Sequence, residues 1–149
     1  MRILVINCGS ATLKYKLFDA GQAGMKSLQA GAVEITRGHR AAVTQALESL
    51  DQAPNAIAHR VVHGGDRLPD VVPVDVTLLN HLREFESLAP LHNGPALEGI
   101  EATLGVGVPM MAAFDTAFHR TLPPRAWRYA LPDLPGVRRL DFTDGPIDQ

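Results

Sequence analysis

The stretch from Met1 to Ala20, MRILVINCGSATLKYKLFDA, decides the fold class. It starts with a continuous aliphatic run, Ile3–Ile6, which ends at Asn7 and is typical of a central strand buried on both faces. Apolar residues and lysines then alternate over Leu13–Leu17, which predicts a strand with one face in water. The small residues between the two runs, Cys8–Thr12, predict a tight hairpin.

Helices and further strands follow this hairpin along the chain. We expect strands over Leu28–Ile35, 56–63, 71–76 and Met110–Phe114, and helices over Gly38–Leu50, Thr77–Phe85, Asn93–Leu104 and Arg125–Leu131. Thr77 and Asn93 are the expected helix caps, because their side-chain oxygens can accept bonds from the first free N–H groups. The pattern predicts an α/β domain with a mixed sheet.

Composition excludes several classes of function. Of the 149 residues, 46% are hydrophobic, and 14 Lys and Arg against 16 Asp and Glu leave a net charge of -2. A surface that binds nucleic acid normally carries excess positive charge, and no apolar run approaches the ~20 residues that a bilayer requires. A single cysteine, Cys8, cannot form an internal disulfide, which suits a reducing compartment. We therefore expect a cytoplasmic domain that binds neither nucleic acid nor membranes.

The predicted hairpin carries groups that bind phosphate. Within eight residues it has the Asn7 amide, the Ser10 and Thr12 hydroxyls and the Lys14 ammonium, all of which can donate to phosphate oxygens. The spacing is not that of a P-loop, which needs two glycines four residues apart followed by Lys-Ser/Thr. A turn of small residues without a ligand remains the alternative.

Three other residues are candidates for a site. Arg60 lies in an apolar strand and needs an anion, either a substrate or a structural partner. Asp115 follows the apolar run at Met110–Phe114, where open α/β sheets place functional groups, although an aspartate that starts a turn fits equally well. His92 precedes a predicted helix start, where N–H groups attract anions, but a lone histidine is also common in structural roles.

Four segments taken together resemble the N-terminal part of the acetate kinase family. They are the opening stretch, AHRVVHGGDRL at 58–68, LAPLHNGPALEGIEA at 88–102, and MMAAFDTAFHRTLPPRAWRYALP at 110–132. The resemblance implies a ribonuclease-H-like domain of the superfamily that includes sugar kinases, Hsp70 and actin. It also implies phosphoryl transfer from ATP to acetate with Mg²⁺, which gives acetyl phosphate and ADP.

The resemblance also implies roles for individual residues. Asn7 would help hold the magnesium and Lys14 the ATP phosphates, with Ser10 and Thr12 lining the same hairpin. Arg60 would bind the acetate carboxylate and then the transferring phosphoryl group. Asp115 would be the catalytic carboxylate, which orients Arg60 and the metal. His92 would donate to the developing phosphoryl charge, and Val62 with Leu91 would form the small methyl pocket.

The chain departs from the family pattern in three places. Relative to the pattern that the resemblance implies, Arg138–Gly145 stands where a segment with a further catalytic histidine is expected, these residues include no counterpart of the second, adenosine-binding domain, and the stretch from Gln29 to Ala58 is short. We therefore expect residues 1–149 to be a truncated N-terminal kinase domain, impaired alone and able to form a homodimer or to complement a second chain. The alternative is a non-catalytic module that binds phosphate or carboxylate, or an inactive fragment.

Overall fold

The computed structural model describes residues 1–62, 64, 68–69, 71–85 and 90–115, and for residues 85 and 90–92 it describes the backbone. Within this part of the chain the strands are β1 (Arg2–Cys8), β2 (Thr12–Gly21), β3 (Gly24–Glu34), β4 (Ala56–Val61), β5 (Val71–Pro73) and β6 (Met110–Phe114). The helices are α1 (His39–Glu48), α2 (Val76–Phe85) and α3 (Pro90–Thr103), followed by a 3-10 turn at Leu104–Val106.

The six strands form one mixed sheet in the order β3-β2-β1-β4-β6-β5. The pairs β1/β2, β2/β3 and β5/β6 are antiparallel, whereas β1/β4 and β4/β6 are parallel. The expected α/β class, the mixed sheet and the hairpin that joins β1 to β2 are confirmed. The carboxyl ends of β1, β4 and β6 consequently meet at one edge of the sheet.

The core lies on one face of the sheet. Alternate side chains of the central strands, among them Leu4, Leu13 and Ile57, are buried on this face. They pack against buried residues of α1 and α3, which include Val43 and Ile100. The prediction that β1 is buried on both faces is wrong, because Ile3, Val5 and Asn7 on its other face are only partly buried. Branched residues there continue the aliphatic run, so the sequence pattern does not distinguish a half-covered strand from a fully covered one.

Both predicted helix caps are also wrong. The Asp75 carboxylate accepts a bond from the Leu78 N–H at 2.7 Å, so α2 begins at Val76, one residue before Thr77. The α3 helix begins at Pro90, three residues before Asn93, which is buried inside it. Proline fits this first position because it has no N–H to satisfy and its φ is already helical. No helix in the described ranges is long and apolar enough to cross a bilayer.

Strand bounds differ from the prediction at three places. The β5 strand ends at Pro73 and not at Val76, which is the first residue of α2. The β3 strand begins at Gly24 and continues across Gly31, where the ring of its cross-strand partner Tyr15 covers the bare backbone. The β4 strand ends at Val61, and Val62 follows in a bend. His63 and the predicted helix at Arg125–Leu131 lie outside the described residues.

We predict that Gly31→Ala destabilises the fold. A Cβ at Gly31 would lie 2.5–2.8 Å from three atoms of the Tyr15 ring, whose hydroxyl shares a 2.6 Å hydrogen bond with the Ser49 hydroxyl. Displacing that ring should lower the free energy of unfolding by about 1–3 kcal/mol, the usual cost of overpacking. Urea unfolding measures this. The matched control is Gly21→Ala, because a Cβ at Gly21 meets nothing within 4 Å; equal stability of the two variants would contradict the prediction.

We predict that His59 makes the fold sensitive to mild acid. Its ring is 2% exposed and contacts the Thr103 hydroxyl at 2.9 Å, and burial lowers the pKa of His59 to about 4. Between about pH 6.5 and about pH 4 the unfolded chain binds a proton that the folded chain excludes, so stability falls as the pH drops through this window. The loss attributable to this group is roughly 3 kcal/mol.

Urea unfolding across that pH range measures the effect. The His59→Leu variant removes the titrating group, and its stability should fall less steeply with decreasing pH than that of the wild type, whatever its absolute value. Parallel pH profiles of the two proteins would contradict the prediction.

Candidate functional site

The polar candidates lie on the sheet face opposite the core. In β1 and β4 the buried positions include Ile6 and His59, which pair across the two parallel strands. Asn7 and Arg60 each follow one of these residues, so both point to the other face. The alternation that buries the core therefore places the amide and the guanidinium side by side near the carboxyl ends of β1 and β4.

Asp115 reaches Arg60 from the neighbouring strand. Arg60 pairs with Ala113 in the β4/β6 register, and Asp115 directly follows the end of β6. The Arg60 Nε donates to both carboxylate oxygens at 3.0 and 3.1 Å, and Nη2 donates to Oδ2 at 2.7 Å. The two side chains are 28% and 21% exposed, so the pair is partly shielded from water. A contact made through two guanidinium nitrogens fixes the plane of the guanidinium as well as its position.

Lys14 lies across the β1/β2 hairpin from Asn7. The two residues are direct cross-strand partners, so their side chains share a face, and Lys14 is exposed. The turn between them is closed by the Gly9 N–H, which donates to the Thr12 carbonyl at 3.0 Å. Ser10 is exposed at the tip of this turn and Thr12 is half-buried. The predicted phosphate-binding groups thus occur on one hairpin at the same end of the sheet as Arg60.

The predicted pocket residues and His92 are less fully described. Val62 is half-buried in the bend that follows β4. Leu91 and His92 belong to the first turn of α3, and their side chains lie outside the described residues. The prediction that His92 precedes a helix start is wrong, because α3 already begins at Pro90.

Two other polar residues near the site are excluded from its chemistry. Burial, together with the nearby Glu98 carboxylate, raises the pKa of the Cys8 thiol to about 11, so it is protonated and a poor nucleophile. His59 faces the core and is neutral near pH 7, because burial lowers its pKa to about 4.

Sequence reasoning missed His39, whose ring contacts both the hairpin and α3. Its Nε2 lies 3.1 Å from the Gly9 carbonyl oxygen and its Nδ1 lies 2.8 Å from the Glu98 carboxylate. The three residues are far apart in sequence, and no local pattern connects them. The only local signal is that His39 directly follows a glycine, Gly38, which precedes α1 with a φ of 87°.

The donor set on the sheet face fits magnesium better than a transition metal. No group of three or more His, Cys, Asp or Glu residues that could hold a metal occurs among the residues with described positions. The Asn7 amide and the Asp115 carboxylate supply oxygen atoms on the same face. Mg²⁺ prefers oxygen ligands and is commonly held by one or two protein groups, with substrate phosphates and water completing its shell.

Comparison with known proteins identifies close relatives of the sequence. Residues 39–143 match the model of the acetokinase family. The acetate kinase of Moorella thermoacetica is 39% identical over 165 residues, which covers 89% of this chain and 41% of that protein. The acetate kinase of Arthrobacter sp. is 37% identical over 166 residues, with 95% and 43% coverage.

Solved structures give the same relationship. The fold matches Porphyromonas gingivalis acetate kinase with a TM-score of 0.75 and 32% identity, over 89% of this chain and 41% of that one. It matches a propionate kinase of Francisella tularensis with a TM-score of 0.68 and 30% identity, over 88% and 41%. The six-stranded mixed sheet is therefore the α/β domain of these kinases.

The chain is shorter than the corresponding region of its relatives. It spans 41% to 43% of the two acetate kinases above, and their alignments extend over 165 and 166 positions against 149 residues here. The relatives thus carry residues in this region that the chain lacks. Since the family model matches well over half of the chain and the fold agrees, the chain belongs to the acetokinase family.

Proposed function

We propose that the chain carries part of an acetate kinase-like site, which transfers the γ-phosphoryl group of ATP to acetate and gives acetyl phosphate and ADP. The observation that carries the proposal is the Arg60–Asp115 ion pair, which lies on the same sheet face as Asn7 and Lys14. An arginine held in this way offers a fixed positive charge beside a hairpin whose groups suit phosphate. The reaction needs these two features next to each other.

The geometry of Arg60 leaves part of the guanidinium for a substrate. Asp115 takes the Nε and one Nη2 proton, whereas Nη1 makes no hydrogen bond within the described part of the chain. A guanidinium has five N–H donors, so its Nη1 and Nη2 edge can still bind one carboxylate. Arg60 is therefore the proposed acetate-binding residue, and it then stabilises the charge on the transferring phosphoryl group.

The hairpin is the proposed phosphate-binding element. The Lys14 ammonium supplies a mobile positive charge, and Ser10 and Thr12 supply hydroxyl donors on the turn beside it. Phosphoryl transfer depends mainly on positioning and on neutralising oxygen charge, with little covalent chemistry left for the protein. A lysine and hydroxyl donors at one end of the sheet meet that requirement.

Magnesium is the proposed metal, with Asn7 and Asp115 as the residues that would hold it. When bound, it neutralises charge on the phosphate oxygens. Asp115 then has two tasks, because its carboxylate both orients Arg60 and offers lone pairs to the metal. The carboxylate needs no role as a base, since acetate is already an anion and loses no proton when it attacks.

The proposed step is a direct displacement. An acetate oxygen attacks the γ-phosphorus, a new bond forms between these two atoms, and the bond between the γ-phosphorus and the bridging oxygen of ADP breaks. His92 is the proposed donor to the developing phosphoryl charge, and Val62 with Leu91 forms the proposed pocket for the methyl group. We assign recognition of adenosine to groups outside these 149 residues, supplied by a second chain or by further sequence. The proposed location of the reaction is the cytoplasm.

We predict that the purified chain forms acetyl phosphate slowly and that Arg60→Ala and Asp115→Asn each abolish this activity. The assay supplies ATP, Mg²⁺ and acetate and traps the product as its hydroxamate. Loss of a charge-assisted contact in the transition state should lower the rate at least about a hundredfold. The Arg83→Ala control removes an arginine that pairs with Glu101 on the helices, away from the sheet face, and should leave the rate unchanged.

The alternative function is a module that binds phosphate or carboxylate without turnover. It is the second candidate because the chain spans only 41% of the Moorella and Porphyromonas acetate kinases that it matches. Measurable ATP or acetate binding by a folded wild-type chain, with no hydroxamate formed, would support this alternative and contradict the proposal of turnover. Retention of full activity by Asp115→Asn would contradict the assigned role of the ion pair.

A further inference from the structure

The turn between β1 and β2 is held by hydrogen bonds to its backbone carbonyls. The Thr12 carbonyl accepts from the Gly9 N–H at 3.0 Å, and the Ala11 carbonyl accepts from the Ile35 N–H at 2.9 Å. The third contact comes from a side chain, since the Gly9 carbonyl lies 3.1 Å from His39 Nε2. A carbonyl oxygen can only accept, so the His39 Nε2–H donates to the turn.

The His39 ring is fixed from its other side by α3. Its Nδ1 lies 2.8 Å from the Glu98 carboxylate, and the imidazole is only 13% exposed whereas Glu98 is 60% exposed. A carboxylate on one ring nitrogen sets the orientation in which the other nitrogen is presented. Since the Glu98 carboxylate also only accepts, the Nδ1–H donates to it while the Nε2–H donates to the Gly9 carbonyl, so both ring nitrogens act as donors. Glu98 thus holds the ring with its Nε2–H toward the Gly9 carbonyl, and the contact links the β1–β2 turn, α1 and α3 at one point.

This arrangement leaves the outer side of the turn available to a ligand. Ser10 and Ala11 are exposed, and within the described part of the chain their backbone N–H groups make no hydrogen bond. Successive free N–H groups in a turn form a concave binding site for anionic oxygens. Whether they point in one direction depends on how firmly the backbone on either side is held.

We propose that His39, oriented by Glu98, is a positioning residue that holds the Cys8–Thr12 turn in the conformation that binds nucleotide phosphates. The proposal rests on the proposed function for its ligand and deepens it, because it assigns a residue on the core side of the hairpin to control of ATP binding. His39 touches the turn and not the phosphates. Its effect should therefore be confined to nucleotide binding and should leave acetate binding unchanged.

The test compares His39→Ala with His39→Gln and Glu98→Ala in the full chain. Two quantities are measured: the Kd for ATP with Mg²⁺, and the hydrogen-exchange rate of the Gly9 amide by NMR, which does not require nucleotide. We expect His39→Ala to raise both by about tenfold, the usual effect of losing one buried hydrogen bond. His39→Gln, which keeps an N–H donor, should recover most of the loss, and Glu98→Ala should give an intermediate effect.

The matched control is Glu101→Ala, which removes another ion-paired carboxylate from the same helix but one that contacts Arg83 and not His39. It should change neither quantity. A folded His39→Ala or Glu98→Ala variant with wild-type Kd and wild-type Gly9 exchange would overturn the proposal, as would equal losses in His39→Ala and His39→Gln. A wild-type chain that does not bind ATP would overturn the proposed function, and the Gly9 exchange rates would then decide alone whether His39 holds the turn.

Discussion

The packing of α1 and α3 against one face of the sheet sets the direction of every side chain in the central strands. Ile6 and His59 are buried beneath these helices, and the residue after each must therefore point away from them. This parity places Asn7 and Arg60 on the opposite face without any contact between the two. The site therefore depends on apolar packing on the other face of the sheet, and a core substitution that rotates a strand should disturb the site as well.

The Arg60–Asp115 pair adds a second constraint, because it joins two strands where they leave the sheet. Nothing in the apolar run of β6 requires an aspartate after Phe114, and nothing in β4 requires an arginine. Their contact at 2.7 Å gives each charge a partner, and breaking one half would leave a partly shielded charge without compensation. Stability and the proposed chemistry consequently depend on the same two residues, and assays of either variant need a folding control.

Much of the fold could be predicted from the sequence where a local pattern carries the information. The alternation at Leu13–Leu17 gave the hairpin strand, and the branched run at Ile3–Ile6 gave its neighbour. The start of α2 was wrong because two acceptable caps lie two residues apart, and only the three-dimensional path selects Asp75 over Thr77. The start of α3 was wrong because Pro90 begins the helix ahead of Asn93. Arg60 and Asp115 could be recognised as candidates, since each is a charge in an apolar context, but their mutual contact spans 55 residues and has no local signature. The His39 contact was missed for the same reason.

The hairpin register has a consequence for how this chain can vary in length. Asn7 and Lys14 face each other across the turn, and this pairing fixes the number of residues in the turn. Inserting or deleting one residue would shift β2 by half of its two-residue period and turn Lys14 toward the core. Leu13 and Leu17 would then face water. The connection from β3 through α1 to β4 carries no such parity, since a loop can absorb residues without rotating a strand. Length differences within the family should therefore accumulate in connections of this second kind, whereas the turn of the first hairpin keeps a constant number of residues.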